Sequence, residues 1–352
     1  MSTPNRPASA LADRRPPLPP EPSVNGAVLD HGVLYRELSH GVYEVRCNPR
    51  DGAVYVASAL AISGVKGGVI YRLDPETLEP VGAIHTDRGN FGLMLNAAGD
   101  RLYSTNPRDQ SLTGFNLDDD TVIGRLDFQD VGADGQRFGP REVIYDAERD
   151  LLYVGGIGDP AVIWAVDART LQLSHTIRNV GKWVTGLMLH PRTGDLYALN
   201  GDSEVLIIDP ASGEVRQRFR PAGDAQALWL NLALDVERNR LYITDHSRLK
   251  TVLILDPDTG RNLGELPEAG ESMGILLHPE RRELYISHRE RGVISTWDAD
   301  THALKRTVRA GPYPNSLCLG ADGRTLYATV KTPFTADYAA SKVESVLRIP
   351  LD

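Results

Sequence analysis

The chain has 352 residues, of which 41% are hydrophobic and 24% charged, with a formal net charge of −9. These proportions suit a globular protein with a sizeable core, and the acidic balance disfavours indiscriminate binding to nucleic acid or an anionic membrane. No apolar run reaches the roughly 18 residues of a membrane-spanning helix, and two cysteines are too few for a disulfide framework.

Residues 1–26 carry Pro4, Pro7, Pro16, Pro17, Pro19, Pro20 and Pro22 with little to bury, which predicts a disordered tail. No apolar stretch follows Arg14 and Arg15, so the segment does not read as a secretory leader, and the chain as it stands reads either as cytoplasmic or as lacking an export leader. Residues 27–352 are expected to form one domain.

Within it, one strand recurs: "GAVYVAS", "DRLYSTN", "DLLYVGG", "GDLYALN", "NRLYITD", "RELYISH" and "RTLYATV". Their tyrosines, Tyr55, Tyr103, Tyr153, Tyr197, Tyr242, Tyr285 and Tyr327, are spaced by 48, 50, 44, 45, 43 and 42 residues. A period of roughly 40–50 residues is that of a four-stranded propeller blade. Each unit opens with an apolar strand such as "TGLMLH" or "MGILLH", and a polar turn then leads into the Tyr strand. After a variable loop comes an apolar strand ending in Asp, as in "VIYRLD" and "VLILD", and a polar strand such as "VRQRFR" or "LKRTVR" closes the unit. Charge at alternate positions of that last strand protects an unpaired outer edge. Asp74, Asp209 and Asp256 begin "DPETL", "DPASG" and "DPDTG", where Asp and Pro serve as turn residues.

The predicted fold is all-β: a seven-bladed propeller of four-stranded blades. The seventh unit ends after three strands, and "VLYREL" (33–38), just before the first unit begins at Val42, is expected to supply its fourth. Cys47 and Cys318 fall on inner strands of neighbouring sheets and read as buried free thiols, a single bridge being the alternative.

The loops following the Tyr strands and those entering each blade share one face around the channel. They vary while the strands repeat, as expected of a site carried on a rigid scaffold. Arg141, Lys182, Trp183, Asn231, His246, His288, Arg289, Asn315 and Lys331 fall there, with Glu44, Glu142 and Asp245 nearby. Cations and acids nearly balance on this face, making it the least acidic side of the molecule. Arg141, Lys182, Arg289 and Lys331 are read as contacts for an anion, Trp183 as a stacking surface, and Asn231 and Asn315 as hydrogen-bonding groups. Stacking aromatics beside cations suit single-stranded nucleic acid.

"GGIGDP" lacks the glycine spacing and following helix of a nucleotide loop. No "GxSxG" elbow and no "CxxCH" occurs. His190 and His278, in "HPRTG" and "HPERR", read as turn residues of the opposite face. The expectation is a monomeric, non-enzymatic protein binding an anionic ligand or a protein partner, with no cofactor, metal or membrane insertion. The competing class is a lactonase-like or metal-dependent hydrolase using His246 with Asp245 or His288 with Glu290.

"KGGVIYRLDPETLEPVGAIH", "PREVIYDAERDLLYVGGIG" with "AVIWAVD", and "PYPNSLCLGADGRTLYATVK" resemble the YncE-like, YVTN-repeat propellers of bacteria. The similarity runs from about Gly41 to the end and includes Tyr43–Glu44, Pro140–Glu142, Thr244–Asp245, His288–Arg289 and Pro314–Ser316 at the channel. The resemblance implies a non-enzymatic protein exported to the periplasm, with single-stranded DNA binding attached to the channel-mouth residues. The chain departs from the family pattern in its Pro-rich start and in lacking the family's leader.

Overall fold

A computed structural model describes residues 32–267, 269–336 and 339–351. The proline-rich segment 1–26 and its boundary with the propeller lie outside them. Among the described residues, seven four-stranded antiparallel sheets form the blades of a propeller. We call the strands of each blade A to D from the axis outward. In blade 1 they are Val42–Cys47, Val54–Ser58, Gly68–Leu73 and Pro80–Thr86.

The closure is as expected from the sequence. Blade 7 is made of A Pro314–Leu319, B Thr325–Val330 and C Glu344–Pro350, and its D strand is Leu34–Ser39 from the other end of the chain. Tyr35 pairs with Leu347 and Arg36 with Val346 in an antiparallel ladder. The chain then turns within two residues into blade 1. Gly41 makes that turn possible: its φ is 67°, and a β-carbon there would sit 2.7 Å from Ala61.

Seven apolar clusters fill the seven gaps between neighbouring blades. B and C strands lie between two such gaps, which is why they are apolar on both faces. At the seam, Val42, Val45, Val54 and Val56 of blade 1 pack on Tyr327 and Val346 of blade 7 and on Leu34 of the closing strand. Each such side chain, fully buried, contributes about 1.5–3 kcal/mol.

The repeated tyrosine has a specific task. All seven are buried. In four blades the hydroxyl crosses to the next blade and donates to the carbonyl of the residue that follows the Asp opening its turn. Tyr103 reaches Ala168 O at 2.7 Å, Tyr197 reaches Pro257 O at 3.4 Å, Tyr242 reaches Ala299 O at 3.3 Å, and Tyr327 reaches Pro75 O at 2.7 Å. The turns themselves are held by the Asp carboxylates: Asp74 Oδ1 accepts from the backbone of Glu76 and Thr77 and from Thr77 Oγ1. The repeat therefore encodes an inter-blade staple, with the Tyr on one blade and the Asp turn on the next.

Candidate functional site at the channel mouth

The A strands line a narrow channel of about 240 Å³, walled by Tyr43, Glu44, Arg46, Glu142, Asn231 and Asn315 among others. At its mouth a larger cavity of about 720 Å³ opens toward blades 2 to 4, lined by Phe91, Pro107, Arg137, Phe138, Arg141 and Trp183. Phe91 and Arg141 belong to both, so channel and cavity meet at those two side chains.

Arg141, on the A strand of blade 3 (Pro140–Asp146), donates to Thr185 O and lies 3.8 Å from Glu142. Trp183, in the loop entering blade 4, is 41% exposed and takes a left-handed φ of 50° that turns its ring out of the core. Lys182 Nζ lies 5.5 Å from that ring and 3.5 Å from Asp202, so its charge is partly neutralised.

Arg289 has no such partner. Among the described residues its side chain makes no ion pair or hydrogen bond, and its Nε is buried without an acceptor. The guanidinium lies 5.5 Å from the Tyr313 ring centroid. Burial pushes its pKa down, Tyr313 opposes that, and Arg141 lowers it further. Beside it, His246 carries a buried Nδ1 without a partner, and its pKa is lowered by burial and then by Arg289. Arg289 and His246 thus lie near one another, each with a buried ring or guanidinium nitrogen that has no partner.

Other residues read from the sequence as site residues are engaged internally. Asn231 Nδ2 donates to Met273 O at 2.9 Å and Asn315 Nδ2 to Tyr43 O at 3.5 Å, bridging neighbouring A strands along the channel wall. His288 is fully buried, with Nδ1 2.7 Å from Gly270 O and Nε2 2.6 Å from Ser295 Oγ. Burial drives its pKa down to about 4, so the ring is neutral. Lys331 is 1% exposed, its Nζ donating to Val42 O at 2.7 Å and to Glu344 at 3.1 Å. The ammonium also lies 3.6 Å from the Tyr43 ring centroid, and burial lowers its pKa to about 8. Asp245 accepts from the backbone of Leu228, Ser247 and Arg248, so it holds its own loop.

Inside the channel, Arg46 pairs with Glu44, which also accepts from Ser316 Oγ at 2.9 Å. Burial and then the Glu44 charge raise the pKa of Glu142 to about 7. Arg46 was missed in the sequence, although "YEVR" places Glu44 and Arg46 two residues apart on one face of a strand that elsewhere presents apolar side chains. His190 is a turn residue as expected, its Nδ1 accepting from the backbone of Arg192 and Thr193, whereas His278 ends the A strand Ser272–His278 of blade 6, with Nε2 2.8 Å from Gly323 O. Among the described residues no three His, Cys, Asp or Glu side chains converge, and no helix is long and apolar enough to cross a membrane.

The fold and the mouth define a seven-bladed propeller with a loop-built polar and aromatic opening on one face. Its architecture is shared by a chain of the mitotic checkpoint complex (TM-score 0.71, 15% identity, 100% of this chain and 98% of that one) and by hydrazine synthase of Kuenenia stuttgartiensis (TM-score 0.69, 16% identity, 86% and 96%). At that identity the likeness concerns the fold alone. No family model matches the chain. It is 37% identical over 322 residues to the uncharacterized protein YncE of Salmonella typhimurium and 35% identical over 322 residues to that of Escherichia coli K12, covering 91% of each chain in both cases. The chain belongs to the YncE family.

Proposed function

We propose that this protein is a binding module that captures an anionic polymer, most specifically a single-stranded nucleic acid, at the channel mouth. The observation that carries the reading is Arg289, a largely buried guanidinium with no acidic partner beside a second arginine, Arg141. A buried cation without a counter-charge is costly, and a phosphate at the mouth would supply the missing acceptors. Arg141 and Lys182 would add charge, while Trp183 and Phe91 offer the apolar faces on which bases stack. Lys331 and His288 would act indirectly, by fixing the wall against which the ligand rests, and Asn231 and Asn315 by shaping the channel beneath it.

With few phosphate contacts on a protein of net charge −9, affinity is expected to be modest and to fall with salt. The test is fluorescence anisotropy of a labelled oligonucleotide, single-stranded and duplex, at two salt concentrations. Tighter binding of the single strand, weakening at the higher salt, supports the proposal. No binding of either at low salt removes it. The hydrolase reading has less support, because neither nitrogen of His288 is free to act as a base and the Asp245 carboxylate accepts from three backbone N–H groups rather than from His246.

A further inference from the structure

We propose that Cys47 and Cys318 are a redox-active pair that forms a reversible disulfide across the seam of the ring, converting a non-covalent closure into a covalent one. The two residues lie on the A strands of blades 1 and 7, the blades brought together by the closing strand. Each sulfur touches the other's strand or the turn that follows it. Cys318 Sγ accepts from the backbone N–H of Cys47 at 3.1 Å, and Cys47 Sγ accepts from the backbone N–H of Ala321 at 3.3 Å. The two thiols therefore sit at one crossing of the blade 1 and blade 7 A strands, each against backbone of the other blade. Both are free and partly buried, and neither takes part in the channel mouth.

No other contact at the seam is covalent. The blades are joined there by the Leu34–Ser39 ladder, the apolar cluster around Val42, Val45 and Val346, and the Lys331–Glu344 contact to Val42. A bond between positions 47 and 318 would close one covalent loop running from the end of the blade 1 A strand through blades 2 to 6 to the A strand of blade 7. A cross-link closing so long a loop restricts the unfolded chain strongly, so it should stabilise the fold provided the native geometry accepts it.

The oxidant can be a low-molecular-weight disulfide such as oxidised glutathione. The Cys47 thiolate attacks one sulfur of the reagent, breaking its S–S bond and releasing one glutathione thiolate. The Cys318 thiolate then attacks Cys47 Sγ, forming the protein disulfide and releasing the second. The two thiol protons pass to the two glutathiones, and the two electrons lost by the protein reduce the reagent. Cys47 is the point of entry: burial raises the pKa of both thiols, and Cys318 is pushed up to about 12. Exchange should therefore be slow at neutral pH and faster in alkali, because the thiolate is the nucleophile.

The test uses the full chain, reduced and then equilibrated with oxidised glutathione, with alkylation, peptide mass mapping and thermal melting as readouts. The expected result is an intramolecular bridge linking the Cys47 and Cys318 peptides and a Tm several degrees above that of the reduced protein, reversed by dithiothreitol. Cys318→Ser should instead stop at a glutathione adduct on Cys47 with no rise in Tm. Two thiols that stay alkylatable or become separately glutathionylated at equilibrium would overturn the proposal, and so would a bridge that leaves Tm unchanged or lowered. The comparison of oxidised with reduced wild-type protein decides the matter even if the serine variant folds poorly.

Discussion

Lys331 and Glu344, 3.1 Å apart and both almost completely buried, clamp the two ends of the ring together. Glu344 also accepts from the backbone N–H of Val42 at 2.7 Å and of Thr332 at 2.8 Å, and Lys331 donates to Val42 O at 2.7 Å. The pair thus satisfies both backbone groups of the residue that opens blade 1. Removing one partner leaves the other charge buried and unpaired, so Lys331→Met or Glu344→Leu should each cost about 3–5 kcal/mol. The double substitution should cost less than the sum of the two. Denaturant unfolding in a double-mutant cycle measures this, and strictly additive losses would contradict the clamp.

The tyrosine staple makes a sharper contrast between identical substitutions. Tyr103→Phe removes the hydroxyl donating to Ala168 O and leaves that carbonyl one donor short, at a cost of about 1 kcal/mol. Tyr153→Phe should cost nothing, since its buried hydroxyl has no partner. Equal losses from the two would show that the repeated hydroxyl does not act through the neighbouring blade.

This contrast bears on what the sequence discloses. The seven tyrosines, the Asp turns and the missing fourth strand are repeats or gaps in a repeat, and periodicity can be read without knowing distant contacts. Lys331 is the opposite case. In "VKTPF" it reads as a loop cation, and its burial depends on Glu344 thirteen positions later and on Val42 at the far end of the chain. Trp183 and Arg289 are legible as loop residues because they stand where a strand repeat gives way to a unique loop. That Arg289 lacks an acidic partner follows only from the packing of several loops.

His288 sets a pH dependence. Its ring is buried and neutral, held by Gly270 O and Ser295 Oγ with Arg291 adding to the depression, so the folded state takes up the proton only near pH 4. The unfolded ring binds it near the ordinary 6.5. Between these values the unfolded state holds more protons, so this group's contribution makes stability rise with pH from about 4 to 6.5 and level off above, by up to about 3 kcal/mol. His288→Gln should flatten that part of the curve in pH-dependent denaturant unfolding. A variant profile parallel to the wild type would refute it.

Trp183 should matter to binding and little to folding. Its ring is 41% exposed, and its left-handed backbone is tolerated better by Asn than by Ala. Trp183→Asn should weaken oligonucleotide binding by about 5- to 150-fold, the loss of one stacked base, with Tm nearly unchanged. A large drop in Tm with affinity retained would make the ring a structural plug.

The central claim is that Arg289 waits for a phosphate. The most direct measurement is the affinity of wild type and Arg289→Ala for a labelled single-stranded oligonucleotide across a salt series, alongside their melting curves. The account predicts weaker binding by the variant at every salt concentration, a log–log salt slope shallower by about one phosphate contact, and a Tm no lower than that of the wild type. Superimposable salt dependences for the two proteins would contradict it.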